Sequence, residues 1–403
     1  MSIPLRKHLV LHAIFVSAST VGLCAQVPSN STAPSKYLKE ATQGVKAMQS
    51  WYDPATGLYK TTGWWNSANA ITVLTNYSRA AGTQEFTPAL ANTFKAAQTQ
   101  NRGFVNNYFD DEGWWALAWI DAYDLTHTPQ YLSMAQSIFT DMAGGWDTTT
   151  CGGGIWWSKD KTYKNAIANE LFLSVAAHLA NRTSGADQTI YADWSRREWT
   201  WFLASGMINA QDLINDGLDS SNPGACRNNE KATWSYNQGV VLAGLAEFSR
   251  FNSDPSLLST AGQIAKSAII YLTDGSGILH DPCEPKCGAD GPQFKGIFVR
   301  NLMALDQVAP NATFKAFIHQ NANSILRNDR SSSFTFGLIW SGPFDSADAA
   351  SQSSALDAVV AAALINRLIG LTSRPSCPAS RTAPHCYTEC RASPPASGSP
   401  HSG

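Results

Sequence analysis

The sequence predicts an all-α protein in which six helical hairpins close into a barrel, and three observations carry that prediction. Apolar residues recur at helical spacing through twelve stretches of the 403-residue chain. Glycine and proline separate the stretches, and the connections alternate short and long, as in successive antiparallel helix pairs. Strand signals are scarce. SFTFGLIW at 333–340 is the best candidate for a strand, and GGGIWW at 152–157 reads as a short extended piece.

In order, helices are expected at about 36–50, 65–81, 86–99, 112–125, 128–142, 164–181, 188–204, 233–250, 255–271, 295–308, 312–327 and 351–370. Gly82 closes the second, Pro129 opens the fifth, Gly144 and Gly145 follow it, and Pro310 parts the tenth from the eleventh. The even-numbered helices carry small and apolar runs: ANAITVL, AIANELFLSVAA, GVVLAGLA and ALDAVVAAALI. They are the candidates for an inner ring, parallel to one another, with their N-termini opening on one face. Ahead of them stand GWWNSAN, YFDDEGWW, IWWSKDKTYKN, KATWSYNQG, GPQFKGIFVR and SADAASQSS. A wide, aromatic-lined cleft at one mouth of the barrel follows from that placement.

Composition narrows the partners. The chain is 44% hydrophobic and 15% charged, with a formal net charge of -2, so nothing points to nucleic acid or an anionic membrane. It holds 14 Trp, 12 Tyr and 17 Phe, enough for stacking surfaces as well as core. Residues 1–25 read as a secretory leader: Arg6, Lys7 and His8 precede an apolar run from Leu9 to Val16, and small residues stand before Gln26. That run is too short to span a bilayer. Sequons at Asn30, Asn76, Asn181 and Asn311 suit an extracellular protein. The expected body is 26–371, followed at 372–403 by a flexible tail rich in Ser, Pro, Ala and Gly, without the hydrophobic end of a GPI anchor.

Cys24 falls in the leader, which leaves seven cysteines. Cys151, Cys226, Cys283 and Cys287 lie in expected loops, and Cys377, Cys386 and Cys390 in the tail. CEPKC lacks a matching Cys/His pair at zinc spacing, so disulfides are expected and no metal; the pairing stays open. The odd number implies a free thiol or an intermolecular bridge. No cofactor is expected: phosphate-loop and dinucleotide-binding glycine patterns are absent where a strand-to-helix turn would need them. A monomer is expected.

The densest chemistry lies in NNYFDDEGWWALAWIDAYDLT, 106–126. Asp110, Asp111 and Glu112 stand side by side and run into Trp114, Trp115 and Trp119. One reading is a helix start, with an aspartate as N-cap and Glu112 as a first-turn charge, since the helix dipole favours carboxylates there; an acid supporting the pair from behind is the other role open to Glu112. The other is glycoside hydrolysis, which needs one ionised and one protonated carboxyl; ionising the first of two neighbours raises the pKa of the second. A gap of about 5–5.5 Å would mean retention and about 6.5–9.5 Å inversion. The residues alone leave capping and catalysis both open.

Trp64, Trp65, Trp156, Trp157 and Trp234 are candidate sugar platforms, one of each pair being expected in the core. Asn66, Asn165, Tyr236, Asn237 and Lys295 are candidate binders of hydroxyl groups; capping, or a solvated face for Lys295 and Arg300, is the plainer fate. Glu170 draws interest if buried. Asp121 and Asp124 are expected in structural pairs, and His178 as a satisfied core histidine.

YFDDEGWWALAWIDAYDLT resembles the signature of glycoside hydrolase family 76, the endo-α-1,6-mannanases. GGGIWW, NAIANELF, TWSYNQGV and FKGIFVR resemble that family's further motifs in the same order, over about residues 36–370. The resemblance implies an (α/α)6 barrel and retaining cleavage of α-1,6-mannan, a polysaccharide partner, with Asp110 as nucleophile and Asp111 as general acid/base. The family also contains fungal cell-wall proteins that act as transglycosylases on GPI-anchor glycans. Three readings therefore stand: a secreted endo-mannanase, which is favoured, a transglycosylase using the same glycosyl-enzyme, and a non-catalytic glycan-binding barrel.

Overall fold

The computed structural model describes residues 35–372. The expected leader, Asn30 and the tail with Cys377, Cys386 and Cys390 lie outside the described residues. Twelve α-helices run in the expected order: α1 (Lys36–Met48), α2 (Trp64–Ala81), α3 (Thr87–Ala96), α4 (Phe109–Thr126), α5 (Pro129–Ala143), α6 (Ala166–Ala180), α7 (Gly185–Ala204), α8 (Ser235–Phe248), α9 (Pro255–Tyr271), α10 (Phe294–Val308), α11 (Ala312–Asn328) and α12 (Ala349–Thr372). Local chemistry sets several ends. Ser35, Asn165, Asp254 and Asn311 cap helices with their side chains, and Gly82 closes α2 with a left-handed φ of 66°.

The even-numbered helices form the inner ring. Each packs on the next, and α12 returns to α2, closing an (α/α)6 barrel. Their sequences explain the choice. Every residue of α6 except His178 is buried, so α6 cannot sit on a surface. Outer α9 buries only Leu257, Ala261, Ile264, Ala265 and Ala268, one helical stripe. Glycine lets the inner helices touch: a Cβ on Gly296 of α10 would lie 2.4 Å from the backbone oxygen of Ser354 on α12.

The chain between outer and inner helix repeats a small device. After α5, α7 and α11 it folds back through single β-bridges, Trp146 to Ile155, Ile208 to Ile214 and Arg330 to Phe336. Each turn buries the second residue of the bridge. An amide side chain on the next inner helix then grips that turn. Asn169 accepts from the Ile155 N–H at 2.7 Å, Gln238 from Ile214 at 2.8 Å, and Gln352 from Phe336 at 2.7 Å. The same device corrects an expectation: 333–340 is no strand, because Gln352 and Asp329 take the Phe336 and Gly337 N–H groups that a ladder would need. GGGIWW does make its short extended piece through Ile155. The named strands are two tiny hairpins, β1 (Tyr52–Asp53) with β2 (Leu58–Tyr59), and β3 (Leu218–Asp219) with β4 (Arg227–Asn228).

Two disulfides fasten loops on the inner helices' N-terminal side: Cys151–Cys226 and Cys283–Cys287. At the C-terminal end of the ring a cavity of about 350 Å³ is lined by paired charges. Arg79 holds Asp121 at 2.8 Å, Arg182 bridges Asp124 at 2.6 Å and Glu247 at 3.1 Å, and Arg300 holds Asp357 at 2.9 Å. His178 faces the same cavity, with Nδ1 2.7 Å from the Ser174 carbonyl. Asp121 and Asp124 are thus structural.

Several carboxyls are buried deeply enough to hold their protons. Burial pushes Asp281 up to about 6, and Asp329 and Asp357 up to about 7, although Arg300 pulls Asp357 the other way. Glu170 and Glu198 are raised well above the usual range by burial. A raised pKa means that the fold binds these protons more tightly than the unfolded chain does. The stability they contribute is complete below the unfolded value of about 4 and is lost as pH climbs through the folded values. The melting temperature should be higher at pH 5 than at pH 8. A protein equally stable, or more stable, at pH 8 would contradict this.

Candidate active site

Five inner helices deliver side chains to one cleft of about 270 Å³. Trp65 comes from α2, Asp110 and Trp114 from α4, Asn165 caps α6, Tyr236 stands on α8 and Phe294 on α10; the intervening loops add Trp157, Tyr163, Asp216 and Asp290. The parallel ring, with its N-termini on one face, accounts for this convergence. Four of the rings form a closed circuit of near-parallel neighbours. Trp65 lies 5.5 Å from Trp114, Trp114 6.4 Å from Tyr236, Tyr236 3.9 Å from Phe294, and Phe294 6.4 Å from Trp65.

The juxtaposition of acids and tryptophans has a direct cause. Each rim indole donates to a carboxylate: Trp157 to Asp110 at 3.0 Å, Trp234 to Asp216 at 3.1 Å and Trp65 to Asp290 at 2.8 Å. The bond fixes the ring's pose and satisfies its N–H. Tyr163 adds its hydroxyl to Asp216 at 2.5 Å.

α4 begins three residues earlier than expected. Its N-cap is Tyr108, which makes no side-chain cap bond, so neither aspartate is the cap. Asp110 and Asp111 occupy the first turn, where free N–H groups favour an anion. Asp110 Oδ1 accepts from the Asp111 N–H at 3.1 Å, and Asn106 donates to Asp111 Oδ2 at 2.6 Å. Burial and then the Asp111 charge hold the Asp110 carboxyl above the ordinary carboxylate range; the Trp157 indole offsets part of this. Burial also raises Asp111, but the Asn106 amide opposes it, and the charge of Asp290 adds a smaller push upward. The pair therefore retains a proton at pH values where isolated aspartates are ionised. Glu112 stands in the first turn, as expected, but is wholly buried, with Lys159 2.9 Å from Oε1.

The other candidates divide cleanly. Trp65, Trp157, Asn165 and Tyr236 line the cleft. Trp234 borders it through Asp216. Trp64 does not line it, because its ring packs on Phe104 and Trp115. Trp156 is core, under the Lys164 ammonium. Asn66 is buried and donates to Gln293 at 2.9 Å. Asn237 is buried, and its side chain has no hydrogen-bond partner among the described residues. Lys295 is buried against Glu284 at 2.7 Å and the Leu338 carbonyl, and Arg300 lies at the cavity of the opposite end. In each sequence pair of tryptophans one ring lines the cleft and the other does not: Trp156 is in the core and Trp64 packs half-buried against it. Sequence reasoning missed Asp216, Asp290, Tyr163, Phe294 and Asn106. Asp216 and Asp290 each precede a glycine, and such dipeptides read as turns.

The profile of the family described as Glycosyl hydrolase family 76 matches residues 36–373. The chain belongs to glycosyl hydrolase family 76. Among curated relatives, mannan endo-1,6-alpha-mannosidase DCW1 of Candida albicans is 28% identical over 309 residues, 69% of this chain and 66% of that protein. Mannan endo-1,6-alpha-mannosidase DFG5 of the same organism is 31% identical over 216 residues, 50% of this chain and 47% of that one. This family 76 chain also shares its fold with the GH76A α-1,6-mannanase of Salegentibacter sp. HEL1_6, at a TM-score of 0.73 and 22% identity, over 82% of this chain and 99% of that one. Dfg5 from Chaetomium thermophilum, solved in complex with glucosamine, gives a TM-score of 0.70 at 22% identity, over 82% and 90% of the respective chains. Membership makes the protein a glycoside hydrolase and its helical ring the family's (α/α)6 barrel.

Proposed function

We propose that this family 76 protein cleaves α-1,6-mannan within the chain, through a covalent glycosyl-enzyme and with retention at the anomeric carbon. The observation that carries the reading is the pair of adjacent aspartates in the first turn of α4, both raised in pKa by burial, with Asp110 lining the cleft of stacked rings. The names of the curated relatives support the substrate. So does a solved Salegentibacter α-1,6-mannanase, inactive with two consecutive aspartates replaced by asparagine, in complex with α-1,6-mannotriose.

In this mechanism the Asp110 carboxylate attacks the anomeric carbon while the Asp111 carboxyl protonates the departing glycosidic oxygen. Asp111, now ionised, takes a proton from water, and the water oxygen displaces Asp110. Two N–H groups already point at Asp110, which suits it to carry the charge at attack. Aromatic faces stack on sugar rings, while Asp216, Asp290 and Asn165 accept from hydroxyls. In this reading residues 26–371 are the catalytic domain of a secreted chain. The two disulfides suit an oxidising compartment.

Incubation with linear α-1,6-mannan tests the proposal. Short manno-oligosaccharides should accumulate from internal cleavage. Products longer than the starting fragments, appearing when an acceptor glycan is added, would assign the protein to transglycosylation. Binding of mannan without any product after long incubation would contradict both.

A further inference from the structure

Asp111 depends on a short chain of contacts that no sequence motif announces. Among the described residues its carboxyl makes one side-chain hydrogen bond, from Asn106 Nδ2 at 2.6 Å. The same amide's Oδ1 accepts from the Tyr108 N–H at 2.8 Å, so both ends of the Asn106 side chain are committed and its orientation is set. The Asn106 N–H in turn donates to Glu112 Oε1 at 3.2 Å. Glu112 is wholly buried in the first turn of a helix, where a glutamate ordinarily faces water, against Lys159 and the Asp141 carboxyl. Lys159 reaches Oε1 at 2.9 Å and Asp141 of α5 at 2.7 Å, and its backbone N–H donates to the Asn107 carbonyl at 2.9 Å.

Burying a carboxyl costs stability even when an ammonium pairs with it, so the ion pair with Lys159 is weak evidence that the glutamate serves the fold alone. What the residue does provide is an acceptor at one fixed point beneath the turn that carries Asn106. We propose that Glu112 and Asn106 are positioning residues for Asp111: Glu112 anchors the turn, and the Asn106 amide holds the Asp111 carboxyl beside Asp110. The inference rests on the reading of Asp111 as the acid/base. Oε1 accepts whether or not Glu112 is protonated, so the anchor survives the upward push of burial on that carboxyl. The charged groups that face Asp111 are Asp110 on its own helix and Asp290 from the loop before α10; those that face Glu112 are Lys159 and Asp141.

The test uses Asn106→Leu, Glu112→Leu, the double variant and Glu112→Gln, with three readouts: the ¹³C carboxyl titration of Asp111 in ligand-free protein, kcat and KM on linear α-1,6-mannan, and the melting temperature. Asn106→Leu should move the Asp111 titration to higher pH, because the donor to its anion is gone, and lower kcat about a hundredfold with KM little changed. Glu112→Leu should do the same, the double variant should be no worse than either single one, and Glu112→Gln, which keeps an acceptor, should restore both. The proposal is overturned if Glu112→Leu lowers the melting temperature yet leaves the Asp111 titration and kcat at wild-type values. It is equally overturned if the two single losses multiply in the double variant. If the wild type cleaves no mannan, the functional reading fails by itself, and the Asp111 titration still decides the positioning.

Discussion

Asp110→Asn and Asp111→Asn should each lower kcat on α-1,6-mannan by about 10⁴-fold or more, which is about 5.5 kcal/mol of transition-state stabilisation. Neither change should unfold the protein. An amide oxygen can still accept from the Trp157 indole at Asp110 and from Asn106 at Asp111, and each variant removes one of two repelling buried acids. The two roles separate with an aryl α-mannoside whose leaving group needs no proton. Asp111→Asn should recover much of its glycosylation rate on that substrate, whereas Asp110→Asn should recover none, because the bond-forming carboxylate is missing. The reverse pattern would exchange the roles. The pH profile carries the same information. The active pair holds one proton, and burial raises both carboxyls, so the bell of kcat/KM should lie above the ordinary carboxylate range.

Lys164→Met should be the most damaging change outside the acid pair, with a loss of about 3–5 kcal/mol of stability in denaturant titration. The Lys164 ammonium is fully buried. It donates to the carbonyls of Asp147 and Thr150 at 2.7 Å and of Gly153 at 2.6 Å, and Asp147 Oδ2 lies 3.4 Å away. The loop it gathers is tightly seated: a Cβ on Gly154, at φ 80°, would stand 2.3 Å from the Trp201 ring. Methionine fills the space but leaves three carbonyls without their donor. The loss reaches the site as well. The Trp157 carbonyl takes the first N–H of α4 at 2.9 Å, and its indole holds Asp110. A variant that keeps wild-type stability would contradict this account of the loop.

The ring was legible because its signals are redundant. α6 and α8 are apolar on nearly every side, α9 on one stripe, and Pro129, Pro255 and Gly82 mark ends that capping chemistry then realises. The apolar run at 333–340 was not legible as a turn. Its N–H groups find partners on α12 and at Asp329, remote or irregular contacts that leave no local pattern. In the cleft, doubled tryptophans before inner helices announced Trp65 and Trp157, and the acid pair announced itself. Which member of each pair faces the cleft was set by helix phase for Trp64 and Trp65, and by the extended piece before α6 for Trp156 and Trp157. Lys295 shows the limit: it stands at a cleft-side helix start, yet Glu284 draws it inward. Asp216 and Asp290 looked like turn residues, and only the indoles that bond to them reveal otherwise.

The account depends most on one event, transfer of the sugar to Asp110 before water takes it. Proton NMR of the first product released from reduced linear α-1,6-mannan, read before mutarotation, tests it directly. An α-configured reducing end appearing first is the predicted result. A β-configured first product would mean direct attack by water and would contradict the covalent route.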